Sequence, residues 1–323
     1  MTDHATETLT AQVPEDLAGK RLDQALARLF PDYSRSRLQH WIQQGLVSVD
    51  GQQLRPKDKV SYGQQVTVQV QPEIQDHWQA QDIPLQIVYE DKSLIVINKP
   101  AGLVVHPAVG NRSGTLLNAL LHHAPELAQV PRAGIVHRLD KDTSGLLVIA
   151  RNLKSQKFLV EQLQARTVSR EYLAVVHGMM TSGGTVDAPM GRHPSQRTRM
   201  AVVAQGKPAV SHYRVVERFR VHTLIRVKLD TGRTHQIRVH MAHIEYPIVG
   251  DPEYGGRSKI PRAASTELLD MLRLFKRQAL HAEKLALIHP RSGKEVSWEH
   301  AMPDDMQQLV RVLRADVKAH ADK

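Results

Sequence analysis

Residues 134–150 read GIVHRLDKDTSGLLVIA, two apolar runs around a short polar segment. Short apolar runs bounded by turn residues form buried strands, so this stretch predicts strand, loop, strand. Such a loop rests on a rigid scaffold that can aim a side chain. It places one carboxylate, Asp140, after His137, Arg138 and Leu139, and follows it with Lys141, Asp142, Thr143, Ser144 and Gly145. On composition alone an ordinary polar loop is the commoner explanation, and Asp142 and Ser144 can satisfy loop backbone groups locally.

A distant segment supplies what an isolated carboxylate lacks. Residues 231–240, TGRTHQIRVH, follow an alternating strand candidate at His222 to Leu229. A Gly and small polar residues turn the chain before Arg238. A buried carboxylate that stays ionised needs a cation, and a guanidinium stays charged and can grip both oxygens. A surface phosphate contact is the competing reading of Arg238.

HRLDKDTSGL at 137–146, REYLAVV at 170–176 and GRTHQIRVH at 232–240 together resemble the three signature motifs of the RNA pseudouridine synthases, in the RluA branch. The similarity spans residues 87–311, and residues 18–70 resemble an S4-type RNA-binding module. The resemblance implies an α+β chain: an S4 α/β module, then a catalytic domain on a mixed, mostly antiparallel sheet. It implies isomerisation of uridines in 23S ribosomal RNA, in the helix 69 stem-loop, with another ribosomal or transfer-RNA site left open, and without cofactor or metal. Asp140 takes the role of nucleophile, Arg238 of its counter-charge, and Tyr172 of the aromatic face under the target uracil. Arg138 occupies the place in the RNA that the flipped base leaves, and Ile237 belongs to the apolar lining. His137 sits in the substrate wall as a loop-fixing residue.

Composition agrees. Lys plus Arg number 43 against 33 Asp plus Glu, a formal charge of +10, which suits a polyanionic partner. With no cysteine there are neither disulfides nor thiolate metal sites. His235, His240 and His243 lack an interspersed carboxylate and any HExxH pattern, a weak metal set. The N-terminal residues are polar and no run approaches the roughly 20 apolar residues of a membrane helix. A cytoplasmic monomer acting on free 23S RNA or the pre-50S or 50S particle is expected.

Five segments are expected: a flexible N-terminus at 1–16, the S4 module at 17–75, a linker at 76–86, the catalytic domain at 87–311 and a C-terminal tail at 312–323. In the small module Leu22, Ala25, Leu26, Leu29 and Phe30 follow helical spacing and Pro31 ends that helix. A second helix carries Leu38, Trp41 and Ile42, and Leu46 to Val49 with Asp50-Gly51 and Gln52 predicts a strand entering a type I′ hairpin. Residues 18–70 hold eight Lys or Arg against four acids, and Arg35, Arg37, Lys57 and Lys59 are the candidate RNA contacts. Further on, Lys99-Pro100-Ala101-Gly102 predicts a turn, Ser113 a helix cap, and residues 154–164 a helix. Strands are expected at 170–177, 201–205, 209–217 and 222–230. The acid-free stretch from Arg192 to Lys207, with Arg197 and Arg199, predicts a basic loop that closes on RNA, and Pro252 to Arg262 a second Gly- and Pro-rich loop.

Two other classes stay open. One is an RNA-binding ribosome-assembly factor with incidental chemistry. The other is a nucleoside hydrolase, which would need a second carboxylate such as Asp142 as acid.

Overall fold

The computed structural model describes residues 7–321 other than 32, 34, 71–77, 109, 197, 257 and 258, and of 7, 36 and 37 the backbone alone. The chain divides into two compact units, 1–77 and 78–323.

The first unit runs β1 (Glu7–Gln12), α1 (Leu22–Leu29), α2 (Arg35–Gln43), β2 (Val47–Val49) and β3 (Gln65–Val70). Its antiparallel sheet has the order β1-β3-β2. The apolar stripes of the two helices, Leu22, Ala25, Leu26, Leu38, Trp41 and Ile42, bury against Val47, Val49, Val66 and Val68. Asp50 and Gly51 both have positive φ, 50° and 77°, and Val49 and Gln52 exchange both backbone hydrogen bonds, so the I′ turn forms as expected. The expectation of a flexible tail at 1–16 is corrected. Glu7 to Gln12 pair in register with Val70 to Gln65, because Leu9 and Ala11 alternate with polar residues and close the core. Between the helices a fully buried Asp23 accepts hydrogen bonds from Arg21, Arg35 and Gln39.

The second unit contains β4 (Ile87–Glu90), β5 (Leu94–Lys99), α3 (Leu116–His123), β6 (Ser144–Ala150), α4 (Leu153–Gln164), β7 (Ser169–His177), β8 (Gly184–Asp187), β9 (Met190–Arg192), β10 (Met200–Val202), β11 (Val210–Arg218), β12 (His222–Leu229), α5 (Gln236–His243), α6 (Thr266–Leu274), β13 (Leu280–Ile288), β14 (Glu295–Glu299) and α7 (Asp304–Ala321). The main sheet has the order β4-β5-β6-β13-β7-β12-β11-β8, with β14 also on β13, while β9 and β10 form a separate hairpin. β13 runs parallel to β6 and the other pairs are antiparallel, the mixed sheet expected.

β5 and β6 are buried on both faces, which is why they read as unbroken apolar runs. Ile95, Ile97, Leu147 and Ile149 join the large core that α3 enters with Leu116, Leu117 and Leu120, and Leu94, Val96, Leu146 and Val148 meet Leu159 of α4. Gly145 has φ 118°, and a Cβ there would stand 2.3 Å from the Ala282 carbonyl oxygen, so only glycine lets β13 lie beside β6.

Several expectations are corrected here. The tail at 312–323 belongs largely to α7, where Met306, Leu309, Val310 and Leu313 recur at helical spacing in the core and Arg220 holds the buried Asp316. Of the linker at 76–86, Gln79 and Gln81 bond to Asn118 of α3, which anchors that end in the second unit. α3 is capped at Thr115 rather than Ser113, since the Asn118 side chain reaches back to the Thr115 N–H. Before Asp140 there is no strand: Pro131–Gly134 form a 3-10 turn and only Ile135 bridges to β6.

Candidate active site

Asp140 stands in the turn before β6, closed by the Thr143 N–H on its carbonyl, at 3.1 Å. Two neighbours anchor that turn. His137 Nε2 accepts the Val148 N–H at 3.1 Å, a donor left free where β13 diverges from β6 after two residue pairs. Burial pushes the His137 imidazole down to about 3, with the Arg170 charge acting the same way, so it serves as a neutral acceptor. The second anchor is Lys99, completely buried at the end of β5. Its Nζ donates to the carbonyls of Pro100, Leu103 and Lys141 at 2.7, 2.9 and 2.9 Å. Burial lowers it to about 7, against the opposing pull of Asp142 and Asp140.

The turn before α5 is built around Gln236. Its Oε1 accepts from the Thr231 hydroxyl and the Arg233 N–H, and its Nε2 donates to the Val210 carbonyl and the Ser211 hydroxyl. His235 caps the helix in the left-handed region at φ 57°. Two residues into α5, Arg238 points back at the turn before β6, and its Nη1 donates to Asp140 Oδ2 at 3.2 Å. Its Nε and Nη2 donate to Asp251 at 2.7 and 2.9 Å, and Nη2 also to Glu253 at 3.3 Å. Burial disfavours the Arg238 charge, but Asp251 and then Asp140 more than offset it and raise the group above its ordinary value. Asp251 is buried, which by itself raises its pKa, yet Arg238 and the N–H groups of Tyr254 and Glu253 bring it below the usual range. Tyr254 lies with its ring 4.9 Å under the Arg238 guanidinium and its hydroxyl 2.9 Å from His235 Nδ1. His235 Nε2 is 3.9 Å from the second oxygen of Asp140.

Asp140, His235 and Arg238 border a cleft of about 930 Å³, whose walls include Arg138, Tyr172 and Ile237. Tyr172 and Ile237 are buried; desolvation raises the phenol above its ordinary value, so it stays protonated. Arg138 is exposed at the rim and makes no hydrogen bond or ion pair among the described residues. Asp142 does not line the cleft, and its carbonyl oxygen accepts from Arg277.

The candidate RNA contacts divide. Lys57 and Lys59 are exposed on a turn of the first unit, whereas Arg35 is shared with buried Asp23. The Arg37 side chain and Arg197 lie outside the described residues. Arg192 is exposed at the end of β9. The basic stretch is a hairpin rather than an open loop: Arg199 stacks on Tyr254 at 5.1 Å and bonds to the Glu253 carbonyl, tying it to the Asp251 loop. His240 is bonded to Ser211 and the Ala188 carbonyl, and no cluster of three metal-binding side chains forms among the described residues. No described helix is long and apolar enough to cross a membrane.

Sequence reading brings together Asp140, Tyr172, Ile237 and Arg238, 98 residues apart at the extremes. It misses Lys99, Asp251, Glu253 and Tyr254. The first shows as a lone Lys between an apolar strand and a Pro, and the others as an acid pair after Val249-Gly250.

A family model described as RNA pseudouridylate synthase matches residues 93–243, and one described as S4 domain matches residues 20–66. The chain is 61% identical over 309 residues to the Ribosomal large subunit pseudouridine synthase D of Pseudomonas aeruginosa, covering 96% of this chain and 97% of the relative. It is 58% identical over 316 residues to the Escherichia coli K12 protein of the same name, covering 98% and 97%. Among solved structures, Human RNA Pseudouridylate Synthase Domain Containing 4 is 28% identical with a TM-score of 0.53, covering 71% of this chain and 93% of that one. With its acid, its tyrosine and its arginine gathered on one cleft, and an S4 domain ahead of them, the chain belongs to the RNA pseudouridylate synthase family.

Proposed function

We propose that this protein isomerises uridines of large-subunit 23S ribosomal RNA to pseudouridine, with Asp140 as the nucleophile on a uridine turned out of its stack. One observation carries the reading: the Asp140 carboxylate opens on the cleft while Arg238, itself clamped by Asp251, supplies its counter-charge at 3.2 Å. The relatives named for large-subunit RNA support the choice of substrate.

The reaction breaks the C1′–N1 bond and forms C1′–C5. The C5 proton is lost and N1 gains one, so no electrons are exchanged and no cofactor is required. Attack of Asp140 at C1′, attack at ring C6 and removal of the 2′ proton all begin from a carboxylate, which Arg238 holds at 3.2 Å. Tyr172 offers a face for the base and, staying protonated, a hydroxyl donor rather than a base. Arg138 at the rim is placed to enter the gap left by the flipped uridine. The first unit adds sequence-tolerant affinity through Lys57 and Lys59. We take the protein to be a cytoplasmic monomer without metal or cofactor, working on free 23S RNA or on pre-50S or 50S particles.

The test is incubation of the pure protein with a 23S transcript, with 50S particles and with transfer RNA, followed by mapping of pseudouridine. Product in the helix 69 stem-loop is expected, and none with Asp140→Asn, which still binds. An Asp140→Asn protein that isomerises at the wild-type rate overturns the assignment, and free uracil among the products would favour a hydrolase.

A further inference from the structure

Among the described residues three Lys or Arg side chains are buried: Lys99, Arg170 and Arg238. Lys99 has three carbonyls and Arg238 has three carboxylates. Arg170 has nothing. It is 9% exposed, no hydrogen bond or ion pair engages its guanidinium among the described residues, and its Nε is fully buried without a partner. A fully buried donor without an acceptor opposes folding, so a bare Nε on a side chain that lines the cleft points to a partner that enters there.

The surroundings say where that partner comes. Arg170 is the second residue of β7, two before Tyr172, so both side chains leave the same face of the strand. Both line the cleft that holds Asp140. Space for the guanidinium comes from Gly232: a Cβ there would stand 2.6 Å from Arg170 Nη1. The backbone of Gly232 needs no positive φ, and what a side chain there would meet is the Arg170 guanidinium. The second and third motifs are thus fitted to each other around an unfilled cation.

We infer that Arg170 is a catalytic residue whose guanidinium takes an oxygen acceptor of the target nucleotide, either the uracil carbonyl on the Tyr172 side or the adjoining phosphate. The assignment rests on the isomerase reading above. On the route through C1′, the electron pair of the broken C1′–N1 bond remains on uracil and spreads from N1 to O2 and O4. Arg170 donates to a carbonyl as that charge develops. The pair then forms C1′–C5 as the Asp140 ester bond breaks and returns its electrons to the carboxylate. C5 releases its proton to solvent and N1 takes one up.

The test uses the full chain, wild type, Arg170→Met and Arg170→Lys, on a target RNA. Single-turnover rate at saturating enzyme, RNA Kd and Tm are measured separately. Arg170→Met is expected to lower the rate by about 100-fold or more, the scale of losing one transition-state donor, while Tm stays level or rises because an unpartnered buried donor is gone. Arg170→Lys should recover part of the rate. RNA with 2-thio- or 4-thiouridine at the target should slow the wild type but not Arg170→Met if the acceptor is a carbonyl. A methylphosphonate beside the target should weaken wild-type binding but not that of Arg170→Met if it is the phosphate. The inference is overturned if Arg170→Met works at the wild-type rate, or if Tm falls with the rate and both analogues affect the two proteins equally. Wild-type protein that makes no pseudouridine overturns the isomerase reading instead.

Discussion

Arg238 donates through Nε and Nη2 to both oxygens of Asp251 and keeps Nη1 for Asp140. The counter-charge of Asp140 is therefore not a free side chain but one arm of a fork whose other arms are occupied. Asp251 is fixed in turn by the backbone N–H groups of Glu253 and Tyr254, both at 2.9 Å. The Asp140 partner is set by this loop, which packs behind it.

Asp251→Asn should accordingly act on catalysis at a distance from the substrate. An amide can accept only one of the two fork bonds, and its NH₂ would face a guanidinium. A fall in kcat of about 10- to 100-fold with RNA Kd little changed is expected, of the order seen when groups that orient a site are removed. Thermal melting should show a loss of about 3 kcal/mol, as for breaking a buried ion pair from one side. Arg238→Lys should not substitute for Arg, because an ammonium cannot grip Asp251 with two bonds while reaching Asp140.

His222 of β12 offers a pH test. Both its ring nitrogens are buried without a partner, and its ring lies 5.2 Å from that of His177. Burial, then the charges of His177 and Lys259, push it down to about 3. Its folded pKa is below the unfolded value, so the unfolded chain binds the proton first as pH falls. Stability is whole above about 6.5 and is lost progressively between there and about 3. At pH 5 the loss from this ring is about 2 kcal/mol. His222→Phe should thus raise Tm more at pH 5 than at pH 8 in a pair of calorimetric scans. Equal shifts at the two pH values would refute it.

Gly145→Ala should part β6 from β13. The Cβ would meet the Ala282 backbone at 2.3 Å, and φ 118° suits glycine alone. A cost of about 3 kcal/mol or more is expected from strain of this kind. Urea unfolding reads the stability, and because Asp140 stands five residues upstream, activity should fall with it.

Lys57→Glu with Lys59→Glu should weaken RNA binding without touching the single-turnover rate. Both side chains are exposed on the first unit. Each lost phosphate contact should flatten the slope of log K against log salt by about 1. An unchanged slope would remove these lysines from the RNA interface.

Much of the fold was legible because local pattern reports local structure. The runs at Leu94–Ile97 and Leu146–Ala150 marked strands buried on both faces, the spacing of Leu22, Ala25 and Leu26 marked a helix, and Asp50-Gly51 marked its turn. Where the pattern was broken the reading failed. LHAEKLALI, the β13 strand at the centre of the sheet, carries His, Glu and Lys because its polar members find partners across strands: His281 with Ser144, and Glu283 with Arg226. The end of the chain reads as a frayed helix over its last dozen residues, and its start at Asp304 and its place in the core are missed, because what its stripe packs on lies elsewhere in the chain.

For the site, sequence by itself singled out Asp140, Tyr172 and Arg238, because each sits in a short motif resembling those of one family; residue type alone left a polar loop, a core aromatic and a phosphate contact open. Only the tertiary structure decided how they are held: Lys99 under the Asp140 turn, Asp251 behind Arg238, and Gly232 opening space for Arg170. Those are contacts between segments far apart in the chain. Their energy depends on burial and on which groups lack a partner, and neither quantity exists until the chain has folded.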